Sequence, residues 1–334
     1  MEGRLTMHLD PFELSQPTTI EEAVRLRAEH VDGSDYLAGG TDLLPNYKMH
    51  LNVRPRLIAL GNVAGLDGIS LDRIGAMARL ADLERDRAFA SSYPGIGEAI
   101  REIATPLVRA SGTVGGNLLL ETRCFFFNQS EFWRASLGYC LKADGDRCHV
   151  VPQKEKCYAT FSGDLAPTLE VLDAEVEIAG ADGRRRVPLE RLYDAQGDGI
   201  HRHHMAPGEL LVAVYLPKDA RERVATYLKL RVRPSFDFPE LGVAAAGRFD
   251  GDRVLGLRLG RGGVETRPRR FDELTDPVVG SRLSDERIRA IAEGVVRQSR
   301  PVHNTFLAPE YRKRMVGVFV RRALTKVRDS ARVA

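Results

Sequence analysis

The chain has 334 residues, 43% of them hydrophobic and 28% charged, with a formal net charge of +3. That is an ordinary globular composition, with apolar mass for two or three domains. No apolar run is long enough to span a bilayer, and the basic stretches Arg184-Arg185-Arg186 and Arg267-Pro268-Arg269-Arg270 lack the interleaved aromatics of a nucleic-acid groove.

The opening MEGRLTMHLDPFELSQ carries Glu2 and Asp10, has no apolar core, and reads as neither a secretory nor a transit segment. A cytoplasmic location follows as an expectation. Thr18-Thr19-Ile20-Glu21 reads as a capping box, followed by Ile20, Ala23, Val24 and Ala28 at helical spacing. Tyr36 to Leu44 is a short apolar strand running into Gly39-Gly40, and Leu57 to Leu60 is a second strand. Residues 1–60 therefore read as a small α+β unit.

Residues 61–219 continue as mixed helix and strand. A helix over Ile96 to Arg109 leads into a second glycine segment, Thr113-Val114-Gly115-Gly116-Asn117. Alternation from Val171 to Ile178 predicts a half-buried strand ending at Asp182-Gly183, and Leu210 to Leu216 predicts another. The last third, 220–334, changes character. Strands are predicted over Ala225 to Arg231, Leu241 to Phe249 and Val254 to Leu259, with a hairpin at Asp250-Gly251. Two amphipathic helices follow, around Ile288 to Val296 and Met315 to Leu324, the second with Pro309 near its first turn.

All four cysteines lie in one stretch, Cys124, Cys140, Cys148 and Cys157, spaced C-x15-C-x7-C-x8-C. Thiolates ligate soft metals and iron–sulfur clusters, so a complete set of four reads first as a metal site. A reducing compartment disfavours two disulfides. Structural zinc usually shows a short C-x2-4-C knuckle, which is absent here. From spacing alone a cluster, zinc and free or bridged thiols all stay open. Phe125, Phe126, Phe127, Phe132 and Trp133 either shield such a centre or form a small core. His149 is treated as a neighbour of Cys148 rather than a ligand, and His201-Arg202-His203-His204 as an exposed loop.

Neither glycine segment is a dinucleotide fingerprint or a P-loop. Each pairs adjacent glycines with a hydroxyl and an amide or carboxylate. Adjacent glycines let successive N–H groups converge on an anion such as a pyrophosphate, with Thr41, Thr113 and Asn117 adding side-chain bonds.

Several segments in fixed order carry a resemblance. They are Ala-Gly-Gly-Thr-Asp-Leu at 38–43, Thr-Val-Gly-Gly-Asn at 113–117 and Ser-Gly-Asp-Leu-Ala-Pro at 162–167. Leu-Lys-Leu-Arg at 228–231, Ser-Phe-Asp-Phe-Pro at 235–239 and Ala-Pro-Glu-Tyr-Arg at 308–312 follow. Together these resemble the FAD-binding subunits of the molybdenum hydroxylases, the xanthine and carbon monoxide dehydrogenase group. The insertion between Asn117 and Ser162, with its cysteine spacing, is similar to that of the beta subunits of 4-hydroxybenzoyl-CoA reductases, where it binds a [4Fe-4S] cluster.

The resemblance implies an α+β fold: a two-part FAD-binding domain (1–60 and 61–219) with a cysteine-bearing insertion at about 120–160, plus a C-terminal α+β domain at 220–334. It implies that Leu37, Ala38, Gly39, Gly40, Thr41, Asp42, Leu43 and Leu44 wrap the FAD pyrophosphate, with Thr113, Val114, Gly115, Gly116 and Asn117 as the second wall. Ile103, Asp164, Leu211 and Lys229 would contact the flavin, and the four cysteines would hold a [4Fe-4S] cluster. Implied partners are a molybdopterin-containing large subunit, a small subunit with two [2Fe-2S] clusters and ferredoxin as donor, assembled as a dimer of heterotrimers. The implied activity is electron transfer toward reductive dehydroxylation of 4-hydroxybenzoyl-CoA. Another molybdenum hydroxylase and a zinc-stabilised scaffold are the alternatives.

Overall fold

The computed structural model describes residues 8–332, so Glu2 of the opening segment lies outside the described residues. Three sheets organise the chain. The first is parallel, with Arg56–Ala59 between Glu13–Ser15 and Ser34–Leu37. Parallel neighbours need a crossover, and the helix Ile20–Glu29 supplies one between the two outer strands. Thr19 is its N-cap, accepting from the Glu22 N–H at 3.1 Å, while Glu22 reaches back to the Thr18 N–H at 2.9 Å. The box thus sits one residue later than the spacing predicts.

The second sheet is antiparallel, in the order Arg73–Gly75, Leu210–Tyr215, Glu175–Gly180, Gly183–Pro188. The predicted strand from Val171 is shorter than expected. Leu165–Val171 is a helix with every residue buried, so its apolar residues mark no single face. Asp173, at φ 55°, turns the chain before the strand begins at Glu175. The predicted helix over 96–109 is likewise two helices, Pro94–Glu102 and Pro106–Arg109. Thr105 is extended (φ −115°, ψ 162°), as a residue before proline prefers, and its hydroxyl caps the second helix.

The third sheet runs Arg269–Arg270, Arg253–Gly262, Leu241–Asp250, Val224–Leu230, all antiparallel. Its central strand is buried on both faces. Leu241, Val243 and Ala245 pack under the helices Asp285–Gln298 and Pro309–Ala331, whereas Ala244 and Ala246 face the core around the helix Leu165–Val171. Alanine on that side keeps the layers close. Arg312, in the motif at 308–312, is wholly buried and donates to the carbonyls of Glu240 (3.0 Å) and Val302 (3.2 Å) and to Asn304 Oδ1 (3.2 Å). It therefore locks the last helix onto the loops beside the cysteine segment.

That segment has little regular structure: one short helix, Glu131–Ser136, and a single turn at Leu141–Ala143. Its neck is closed by a two-way backbone pair between Arg123 and Thr160, at 2.8 and 2.7 Å. Phe125 N–H donates to the Asn304 carbonyl at 3.1 Å, tying the insertion to the C-terminal third.

Candidate functional site

A cleft of about 540 Å³ opens where the first sheet, the second glycine segment and the third sheet meet. Ala38, Gly39, Gly40, Thr41, Asp42 and Leu43 form one wall. Gly39 is required for packing, because a Cβ there would stand 1.9 Å from the Ser111 carbonyl oxygen. Gly40 has φ +70°, the left-handed region that favours glycine. Leu37 and Leu44 pack around Gly40 from behind and do not line the cleft. The N–H groups of Gly40, Thr41 and Asp42 donate to no acceptor among the described residues, which leaves them available to an anion.

The opposite wall is built differently. Thr113 to Asn117 is not a loop but the start of a short helix, Val114–Leu118, capped by the Thr113 hydroxyl. Its N–H groups are already used: Val114 donates to Ala78 O, Gly115 to Ala76 O, Gly116 to Thr113 Oγ1 and Asn117 to Thr113 O. The expectation that both glycine pairs offer free N–H groups to a pyrophosphate fails for this second pair, whose N–H groups are spent within the fold. Gly115 is needed because a Cβ would meet Ala76 at 2.9 Å. A Cβ on Gly116 would meet only Thr113 Oγ1, at 3.1 Å, and otherwise project toward the cleft it lines. Val114 is buried in the core behind this wall. Asn117 fixes the next element, its Oδ1 accepting from the Leu165 N–H at 3.0 Å.

Asp164, Lys229, Ile103 and Leu211 all reach the cleft. Asp164 is 3% exposed; it accepts from Tyr227 Oη at 2.6 Å and Lys229 Nζ at 3.0 Å. Burial pushes its carboxyl above the ordinary range, against the pull of Lys229 and Tyr227. Lys229 also donates to the Glu102 carbonyl at 2.8 Å, which ties the third sheet to the helix ahead of Ile103.

Cys124, Cys140, Cys148 and Cys157 are all buried, all free thiols, and close enough that each charge would raise the next. Burial pushes Cys124 up to about 12 and Cys157 up to about 11. Backbone N–H groups of Phe126, Lys142, Ala143 and Ala159 point at these sulfurs and favour the thiolate. Phe127 and Leu51 complete the pocket, while Phe132 is 80% exposed and shields nothing. Among the described residues no group of His, Cys, Asp and Glu is gathered into a site for a metal ion. His149 contacts the Tyr139 carbonyl at 2.6 Å and lies tilted against the Phe126 ring, centroids 5.3 Å apart.

Residues that the sequence did not mark join the two regions. Lys142 and Phe127 belong to the thiol pocket, and both also line the cleft. Lys142 is 8% exposed and spends its N–H groups on Glu121 Oε1 (2.5 Å), Thr122 Oγ1 (2.5 Å) and Gly199 O (2.7 Å). Its Nζ lies 5.0 Å from the Phe127 ring centroid. Arg202 adds a second cation 3.4 Å from Glu121. Arg123, beside the first cysteine, pairs with Asp42 of the glycine wall and lies 4.5 Å from the Phe238 ring. The histidine segment is not uniformly exposed: His203 is half-buried, and burial lowers it to about 4.

The cleft thus combines uncommitted backbone N–H groups at 40–42 with a buried Asp–Lys–Tyr cluster. Comparison with known proteins gives the family. Residues 10–219 match the FAD-binding domain in molybdopterin dehydrogenases, and residues 225–327 match the carbon monoxide dehydrogenase flavoprotein C-terminal domain. The chain belongs to the FAD-binding subunits of the molybdenum hydroxylase family. It is 34% identical over 273 residues to the FAD-binding subunit of an aldehyde oxidoreductase of Escherichia coli K12, covering 78% of this chain and 84% of that one. It is 26% identical to the carbon monoxide dehydrogenase medium chain of Afipia carboxidovorans, over 96% of this chain and 98% of that one. A chain in the solved carbon monoxide dehydrogenase of Hydrogenophaga pseudoflava shares the fold, with TM-score 0.79 at 23% identity over 96% and 98% of the two chains. The matched FAD-binding domain makes FAD the cofactor of this chain. No described helix is long and apolar enough to cross a membrane.

Proposed function

We propose that this chain is the electron-relay subunit of a molybdenum hydroxylase, holding FAD in the cleft and a [4Fe-4S] cluster on its four cysteines. The observation that carries the reading is the meeting of thiol pocket and cleft at two shared residues, Phe127 and Lys142. A flavin exchanges one or two electrons, which suits it to link two-electron chemistry with one-electron clusters. Gly40, Thr41 and Asp42 hold the pyrophosphate through their N–H groups; Asp164, set by Lys229 and Tyr227, binds polar groups of the flavin. Ile103 and Leu211 supply apolar walls and exclude water. Lys142 places a fixed positive charge beside Cys140 and Cys157, which eases their ionisation.

The wide spacing of the four cysteines along the chain, with no short C-x2-4-C knuckle, supports a cluster over a single zinc ion. Partners of this reading are a molybdopterin-containing large subunit, where substrate is transformed, and a small subunit with two [2Fe-2S] clusters, in a dimer of heterotrimers. The similarity to an aldehyde oxidoreductase subunit favours oxidation at the large subunit, with electrons passing outward through this chain. The cysteine spacing supports a second reading, 4-hydroxybenzoyl-CoA reduction with ferredoxin as donor. Free thiols suit a reducing compartment, and we place the chain in the cytoplasm.

Turnover tests the relay role. The isolated, flavin-loaded chain with a chemical reductant or oxidant should exchange electrons with dyes and transform neither an aldehyde nor 4-hydroxybenzoyl-CoA. Turnover without partners would place the active site in this chain and overturn the reading.

A further inference from the structure

The helix Leu165–Val171 starts beside the flavin cleft at Asp164 and ends at a second cavity, of about 510 Å³. Glu170, Glu190 and His204 line this cavity together with Arg191, Arg267, Arg269 and Arg270, and Glu190 is paired with Arg270 at 3.6 Å. The cavity lies between the parts matched by the two family domains, a common place for small-molecule sites.

The charges here are unevenly matched. Arg270 is neutralised by Asp173 at 2.7 Å and Asp272 at 2.7 Å, and Arg269 is engaged by Gln298 and by Glu273 at 4.0 Å. Arg191 and Arg267 make no hydrogen bond or ion pair among the described residues, and Arg267 is half-buried. Glu170 is 2% exposed, and its Oε2 is sealed from solvent with no hydrogen-bond partner. A buried oxygen without a partner costs on the order of 1–3 kcal/mol, so its persistence needs a reason.

We propose that this cavity is a binding site for a phosphate group, held by the guanidiniums of Arg267 and Arg191 and by the carboxyl of Glu170. Guanidinium pairs match phosphate oxygens in bidentate geometry and supply the charge a dianion needs. Burial pushes Glu170 up to about 8, opposed by Arg270 and Arg267 and reinforced by Glu190 and Asp272. Near neutral pH it is therefore a carboxylic acid whose O–H can donate to a phosphate oxygen rather than repel it. Tyr193, the other buried titratable group on this wall, is committed to the Leu118 carbonyl at 3.1 Å and leaves Glu170 as the donor.

The test uses the full chain saturated with FAD, so that the glycine cradle is filled and cannot bind the probe. Inorganic phosphate, titrated calorimetrically at neutral pH, should bind once per chain and more tightly than acetate, a planar monoanion. Arg267→Ala should weaken phosphate at least tenfold and Arg191→Ala less, with flavin content unchanged. Glu170→Gln, which keeps a donor, should retain binding. No phosphate binding at millimolar concentration, acetate binding as tight as phosphate, or an Arg267→Ala protein that binds like the parent would each overturn the assignment.

Discussion

The flavin cleft and the thiol pocket face each other across Phe127 and Lys142, yet they are built by opposite means. The cleft is backbone chemistry. Gly39 and Gly115 let two chain segments approach closely, and the N–H groups at 40–42 are left without an acceptor among the described residues. The thiol pocket is side-chain chemistry carried on loops, with sulfurs that burial alone would keep protonated. The contrast teaches that a cradle for a permanent anion can be finished by folding, whereas a thiolate site needs a compensating cation to complete it.

Four changes probe that contrast. The largest effect is expected for Gly39→Val, whose Cβ would overlap the Ser111 carbonyl. It should cost about 3 kcal/mol or more and abolish FAD binding, measured by denaturant unfolding and flavin content. A parent-like midpoint would mean that the close approach of the two walls is not what builds the cleft.

Glu170→Gln comes next and tests the helix shared by the cleft and the second cavity. Glu170 is raised to about 8 from an ordinary 4.5, so the folded state binds more protons between those values. Stability of the parent therefore falls as pH rises from about 4.5 to 8, by on the order of 4 kcal/mol. The Gln protein should match the parent near pH 4 and exceed it at pH 8. Equal stability at both ends would show that Glu170 titrates normally.

Gly116→Val should leave folding nearly intact, since its Cβ meets only a hydroxyl, and should fill cleft space. FAD affinity should fall about a hundredfold, some 2.7 kcal/mol, read by flavin titration of the apoprotein. If affinity were unchanged, this wall would not face the flavin.

Lys142→Met is the smallest and most discriminating change. Removing one buried cation beside both regions should make the flavin and cluster midpoints more negative, by on the order of 1 kcal/mol each. Lys142→Arg should restore much of the shift. Midpoints that do not move would deny Lys142 any electrostatic hold on the two regions.

Much of this was legible in the sequence because it depends on local chemistry. The strands Arg56–Ala59, Leu210–Tyr215 and Leu241–Asp250 followed from apolar runs, and Pro309 marked the start of the last helix. The helix Leu165–Val171 left no signal in the sequence because it is buried all round and shows no amphipathic period; only its last residue, Val171, was read, as the start of a strand. The division of labour between the glycine pairs was invisible too, since it depends on contacts with Ser111 and Ala76 made only in the fold. Lys142, Glu121 and Arg202 were missed for the same reason. Each looks like an ordinary surface charge until the insertion folds them together.

The most direct measurement is iron, acid-labile sulfide and flavin content of the anaerobically purified chain, compared with its Cys140→Ala variant. The account predicts one FAD and about four iron and four sulfide per parent chain, and a variant that loses iron and sulfide while keeping FAD. Zinc without iron in the parent, or full iron in Cys140→Ala, would contradict it.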